Sequence, residues 1–155
     1  MKFFLLFVII FIIFFVLINR PNERFYELNN NISSNMLNKL RYVANDLLDN
    51  TKMKFSGFLA PLNIRDYRKI INIQEGYSSF TENKTKIVLC MRDANGNLYS
   101  FNSLMYVLLH EISHVINDEL HHTSKFQNIF RDLLKLAEER GYYDSNIPFV
   151  SQYCS

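Results

Sequence analysis

The sequence predicts an α+β domain behind an N-terminal transmembrane helix. Three features predict it: an unbroken apolar run near the N-terminus, a short apolar strand followed by Asn95-Gly96, and two amphipathic helical stretches after that turn. The chain has 155 residues, room for one domain of ordinary size, and its 48% hydrophobic and 15% aromatic content excludes wholesale disorder. Its 17 basic and 15 acidic residues are spread along the chain, for a net charge of +2. That pattern carries no electrostatic footprint for nucleic acid, so no nucleic-acid partner is expected. Cys90 and Cys154 are too few for a disulfide framework or a thiolate zinc site. They could pair once in an oxidising compartment, but a buried free Cys90 is the expectation.

Residues 3–18, FFLLFVIIFIIFFVLI, contain no polar side chain. As a helix they span about 24 Å at about 1.5 Å per residue. That is a little short of a hydrocarbon core of about 30 Å, and Lys2 and Arg20 can snorkel to extend it. Bulky and charged residues follow where a cleavage site would need small ones, so residues 1–20 read as an uncleaved single-pass anchor and the expected localisation is a membrane. Lys2 on one side competes with Arg20 and Arg24 on the other, which leaves the orientation open. The sequons at Asn31 and Asn83 read as chance matches in an asparagine-rich chain.

Residues 21–33 read as a polar tether and residues 34–155 as the folded domain. Met36, Leu37, Leu40, Val43, Ala44, Leu47 and Leu48 recur at helical spacing, with Ser33 or Ser34 available as N-cap and an end near Asn50. Gly57 and Pro61 break the next stretch, where short strands are expected around Leu59 and residues 70–73. Residues 86–92, KIVLCMR, form the clearest strand, and Asn95-Gly96 suits a hairpin turn returning through residues 98–101. A helix follows over residues 104–117, capped by Asn102 or Ser103, then a break at residues 118–122. The last helix covers residues 124–140, with Gly141 as its stop.

The middle helix contains His110-Glu111-Ile112-Ser113-His114. Histidines four residues apart lie about 40° apart around a helix axis, so both imidazoles can meet one ion. Glu111 lies about 100° from His110, where it can reach a metal-bound water without binding the metal. Zinc would act as Lewis acid and the carboxylate as general base. A chance match is the competing reading. The apolar flanks Tyr106 to Leu109 and Val115-Ile116 weigh against it, because they would bury a carboxylate that has no evident partner.

A catalytic zinc needs a third protein ligand and an open position. His121 and His122 follow the break, with Asn117 or Asp118 able to turn the chain back in a left-handed conformation. HEISH, a short connection, then His122-Thr123-Ser124-Lys125-Phe126 resembles the WLM and SprT-like zinc metallopeptidases, and most of all the small WLM-like metallopeptidases of large DNA viruses. In that pattern a third histidine is followed four positions later by an aromatic residue. The resemblance runs over residues 79–126 and selects His122, which has Phe126 at that offset. Eight positions separate His114 from His122, longer than the common WLM connection, and no glycine assists the turn. His121 therefore stays open as third ligand, as does Glu138 or Glu139 on the last helix.

The resemblance implies a zincin-like layout with an HExxH helix, a short sheet or hairpin and a C-terminal helix. It also implies a metallopeptidase with Zn2+ held by His110, His114 and His122, Glu111 as general base, and a protein or peptide substrate. In such a layout the strand before the active helix borders the cleft and can pair with an extended peptide, which points to residues 86–92. Tyr142, Tyr143 or Tyr153 could assist an oxyanion. The rival from another class is a non-catalytic zinc-stabilised membrane or virion structural protein.

Overall fold

The computed structural model describes residues 23–154. The chain divides into two units, Met1–Ile32 and Ser33–Ser155. Of the first, only residues 23–32 are described, as helix. The apolar run expected to cross a membrane lies outside the described residues.

In chain order the elements are helix α1 (Glu23–Leu47), two 3-10 segments (Gly57–Asn63 and Tyr67–Lys69), and strands β1 (Asn72–Gly76), β2 (Phe80–Glu82) and β3 (Lys86–Cys90). Helices α2 (Phe101–Ile116) and α3 (Ser124–Glu139) follow. This corrects the expected fold class. The described domain is a small α+β unit with a three-stranded sheet, and no helix among the described residues is long and apolar enough to cross a membrane. The buried apolar residues of α1 within the second unit, Leu40, Val43, Ala44 and Leu47, form one stripe, with Met36 and Leu37 half-buried against the same core and Tyr42 exposed. The helix also runs through the segment expected as a tether, so Ser33 and Ser34 lie inside it and cap nothing. Ser33 is buried and its hydroxyl donates to Glu75 Oε2 at 2.5 Å. Arg41 donates twice to the Ile73 carbonyl, at 3.0 and 2.6 Å, so α1 is tied to β1 at two places.

The sheet is a second correction. Its order is β1-β3-β2, with β1 parallel to β3 and β2 antiparallel to it. The chain does reverse at Asn95-Gly96, with an antiparallel bridge between Arg92 and Leu98 flanked by Asp93 N–H donating to the Asn97 carbonyl at 2.9 Å and Tyr99 N–H to the Met91 carbonyl at 3.0 Å, but no regular return strand follows. The Asp93 carboxylate accepts from the amides of Asn95 and Asn97 at 2.9 and 2.8 Å, which closes a tight local turn. Helix α2 then starts at Phe101, too soon for a strand to form. The hairpin of this fold lies one connection earlier. Asn83 and Lys84 have φ of 52° and 55°, and Thr85 N–H donates to the Glu82 carbonyl at 3.2 Å. Two consecutive positive φ angles closed by that bond match the hairpin turn whose twist suits paired strands.

Ile87 and Leu89 of β3 pack with Leu104, Leu108 and Ile112 of α2 and with Phe126, Ile129 and Leu133 of α3 in one core. The α2 N-cap is Ser100, which accepts from Ser103 N–H, and not Asn102 or Ser103. Helix α3 ends at Glu139 with Arg140 as its cap, and Gly141 just beyond takes φ 71°, open to glycine at little cost. Cys90 and Cys154 form a disulfide with Cα atoms 6.2 Å apart, which corrects the expected free thiol. The tail is brought there by Tyr153, which packs on Tyr99 at 4.7 Å and donates to the Cys90 carbonyl at 2.5 Å.

Candidate metal centre

His110 and His114 stand one turn apart on α2, and their ring centroids are 5.1 Å apart. After Ile116 the helix stops at Asn117, whose backbone is extended at φ −68° and ψ 127°. Its fully buried side chain accepts from Glu119 N–H at 3.3 Å and donates to the Glu119 carbonyl at 3.2 Å, locking the start of the loop. The left-handed residue is not Asn117 or Asp118 but His121, at φ 65°. Lys125 reaches back to Asp118 at 2.5 Å and ties the two ends of the loop together.

This loop brings His122 over α2. Its ring centroid lies 4.9 Å from His110 and 4.8 Å from His114, and its Nε2 is 3.0 Å from His110 Nε2. One nitrogen from each of the three rings can be chosen so that all lie within 4.8 Å of one another. A tetrahedral zinc with Zn–N bonds of about 2.0–2.1 Å sets its ligand nitrogens about 3.3 Å apart, close to the 3.0 Å between the His110 and His122 nitrogens, whereas the 4.8 Å span of the whole set would have to close for all three to reach one ion. Phe126, fully buried, supports all three rings, with centroids 5.0, 4.4 and 4.7 Å from His110, His114 and His122.

Burial, reinforced by His114 and His122, pulls the His110 imidazole down to about 4. Burial also lowers His114, with help from His122 and Lys84. Both rings are therefore neutral at neutral pH, with a lone pair on the unprotonated nitrogen.

The other residues considered as ligands fall elsewhere. His121 lines the same cleft but is outside the cluster, and its backbone conformation is what presents His122. Glu138 accepts from the Ser145 amide and hydroxyl, and Glu139 is exposed and faces Lys135 at 3.9 Å. Among the described residues, neither glutamate joins a cluster able to hold an ion.

Glu111 is buried on α2 beside this cluster. Thr81 Oγ1, on β2, lies 2.7 Å from Glu111 Oε2 and donates to it. Burial raises the Glu111 carboxyl, and the Thr81 bond opposes that shift. Glu111 Oε1 accepts no hydrogen bond among the described residues, where no fully buried side-chain polar atom lacks a partner. Oε1 therefore opens onto the cleft that Glu111 lines. The cleft holds about 570 Å³, between the histidines and Ser79, Phe80 and Thr81.

Strand β3 does not offer the open edge expected of residues 86–92, because both its sides are paired. The strand beside the cleft is β2, at the edge of the sheet. Sequence reasoning missed it: three residues are too few for an alternation to register. None of the three tyrosines lines the cleft. Tyr142 donates to Asp46, and Tyr143 stacks near Tyr106 at 6.3 Å. Tyr153 lies behind Ser79, 3.0 Å from its hydroxyl, and burial pushes its phenol up to about 12.

The chain is similar to three viral proteins. An uncharacterized protein of Invertebrate iridescent virus 6 is 50% identical over 107 residues, 67% of this chain and 60% of the relative. An uncharacterized protein of Invertebrate iridescent virus 3 is 44% identical over 100 residues, 64% of this chain and 63% of the relative. One from Acanthamoeba polyphaga mimivirus is 42% identical over 69 residues, 43% of this chain and 35% of the relative. The chain thus spans about three fifths of the length of the first two. No protein-family model matches the chain. No solved structure matches it.

Proposed function

We propose that the chain is a zinc-dependent peptidase in which His110, His114 and His122 hold the metal and Glu111 is the general base. The observation that carries this reading is the convergence of three imidazole nitrogens next to a buried carboxylate with one oxygen open to the cleft. The resemblance of HEISH and HHTSKF to the WLM and SprT-like metallopeptidases supports it from the sequence side. When bound, zinc supplies Lewis acidity and makes a water nucleophilic at neutral pH. Glu111 Oε1 takes the proton of the attacking water and returns it to the leaving amine. The raised carboxyl suits both tasks, because a more basic carboxylate takes the water proton more readily and keeps it from bulk solvent until it is delivered to the amine as the C–N bond breaks. Phe126 and the apolar core beneath the rings keep bulk water from their lower side.

The substrate is an extended peptide laid along the outer edge of β2, where unpaired backbone groups can add a strand. Phe80 on β2 and Leu120 on the loop, both exposed and both lining the cleft, suit apolar side chains of that peptide.

The test uses the full chain. It should bind one zinc per molecule and hydrolyse members of a peptide library. Glu111→Gln should keep the zinc and lose about 100-fold to 10,000-fold in kcat, the usual weight of a positioned acid or base. A chain with no bound zinc at neutral pH overturns the reading. Zinc without hydrolysis favours the structural alternative, in which the ion staples α2 to the loop that carries His122.

A further inference from the structure

We infer that Thr81 is a positioning residue that assigns the two oxygens of Glu111 to different tasks, a role that rests on the peptidase reading above. Thr81 Oγ1 lies 2.7 Å from Glu111 Oε2 and 3.0 Å from the Glu111 carbonyl oxygen. It has one proton, and the charged carboxylate is the stronger acceptor, so the bond goes to Oε2. A second lone pair on the hydroxyl cannot serve the carboxylate, which accepts only. With Oε2 held, Oε1 is the oxygen without a hydrogen-bond partner among the described residues.

The threonine is itself held in place. It is paired with Ile87 in the sheet, and a β-branched side chain has little freedom at χ1. The carboxylate therefore cannot rotate about its terminal torsion without breaking the one hydrogen bond it accepts among the described residues, and that torsion is otherwise broad. Thr81 also belongs to the edge strand of the sheet, and it lines the cleft together with Phe80. A peptide added to β2 is thereby set at a constant distance from the base, because strand and carboxylate are joined by one short bond. Backbone pairing with substrate and proton transfer share a single rigid element.

A purely structural threonine at an edge strand would behave differently. Valine has the same shape and at least equal preference for a strand, so Thr81→Val should keep the fold and remove only the donor. Thr81→Ser restores the hydroxyl. Both variants should retain one zinc per chain and the wild-type melting temperature within about 3 °C. Thr81→Val should lose about 10-fold to 100-fold in kcat with KM changed less than about twofold, the weight of one charge-assisted hydrogen bond expressed in the transition state. Thr81→Ser should recover kcat to within about threefold of wild type.

A second readout needs no hydrolysis. In chain labelled with 13C at the glutamate carboxyl, the infrared carboxylate band that vanishes in Glu111→Gln should shift in Thr81→Val and stay in place in Thr81→Ser. An unmoved band in Thr81→Val, or a moved band with unchanged kcat, overturns the inference. A wild-type chain that hydrolyses nothing overturns the peptidase reading instead, and the band then still reports whether Thr81 holds the carboxylate.

Discussion

Asp46, near the C-terminal end of α1, accepts hydrogen bonds from Lys52, Arg140 and Tyr142, whereas Glu111 accepts one side-chain bond, from Thr81. Lys52 and Arg140, helped by Tyr142, take the Asp46 carboxyl from its ordinary 3.8 down to about 2. Glu111 moves the other way, because burial outweighs its single donor. Asp46 is saturated, and its partners lie on the loop after α1 and at the end of α3, so it holds parts of the fold together. Glu111 is sheltered, and among the described residues one of its oxygens accepts no hydrogen bond. A carboxylate kept for stability satisfies its lone pairs internally. Under the proposed peptidase reading, Glu111 is the carboxylate left short of partners for chemistry.

The largest expected effects come from separating these two roles. Glu111→Gln should lower kcat by about 100-fold to 10,000-fold while leaving the melting temperature unchanged or slightly higher, since a neutral amide is easier to bury than a carboxylate. A large loss of stability in that variant would erase the contrast with Asp46. Next, His122→Ala should weaken zinc binding by about 100-fold or more, measured by competition with a chelator, because one of three protein ligands is gone. His121→Ala should hold zinc nearly as well, and equal losses in the two variants would mean that the loop has a different register.

Asp46→Asn should do the reverse of Glu111→Gln, lowering the melting temperature by about 3–8 °C with zinc content and kcat unchanged. The sign of its pH effect follows from the depressed carboxyl. Asp46 contributes stability at pH values above its ordinary 3.8, and that contribution is lost as pH falls through about 2. Between roughly pH 4 and pH 2 the wild type should therefore lose its advantage over Asp46→Asn, followed by denaturant titration at each pH. The smallest effect is expected at His121, which occupies φ 65°. Glycine is at ease there, so His121→Gly should stabilise by about 0.5–1 kcal/mol or leave stability unchanged, once the looser unfolded chain is counted.

Much of the helical framework was legible in advance because helix periodicity is local. The apolar spacing of residues 36–48, 104–116 and 126–137 marks faces that do become buried. The pairing of the sheet was not legible, since it depends on partners distant in sequence. Asn95-Gly96 does turn the chain, yet the paired strands lie on either side of Asn83-Lys84, because β2 pairs with β3 upstream while α2 begins soon after Leu98 downstream. The disulfide was missed for the same reason: 64 residues separate its cysteines, and only the packing of Tyr153 on Tyr99 brings them together.

The sequence by itself determined that His110 and His114 share one face of a helix with Glu111 between them, because 3.6 residues per turn allows nothing else once the helix forms. It could not choose between His121 and His122 by geometry, since neighbouring residues in a loop can point anywhere. The tertiary structure decided that His122 meets the other two, through a left-handed backbone at His121, a locked Asn117 and the ion pair that closes the loop. It also decided which strand faces the cleft. Thr81 lies 30 residues from Glu111, and only the docking of β2 on α2 makes them partners.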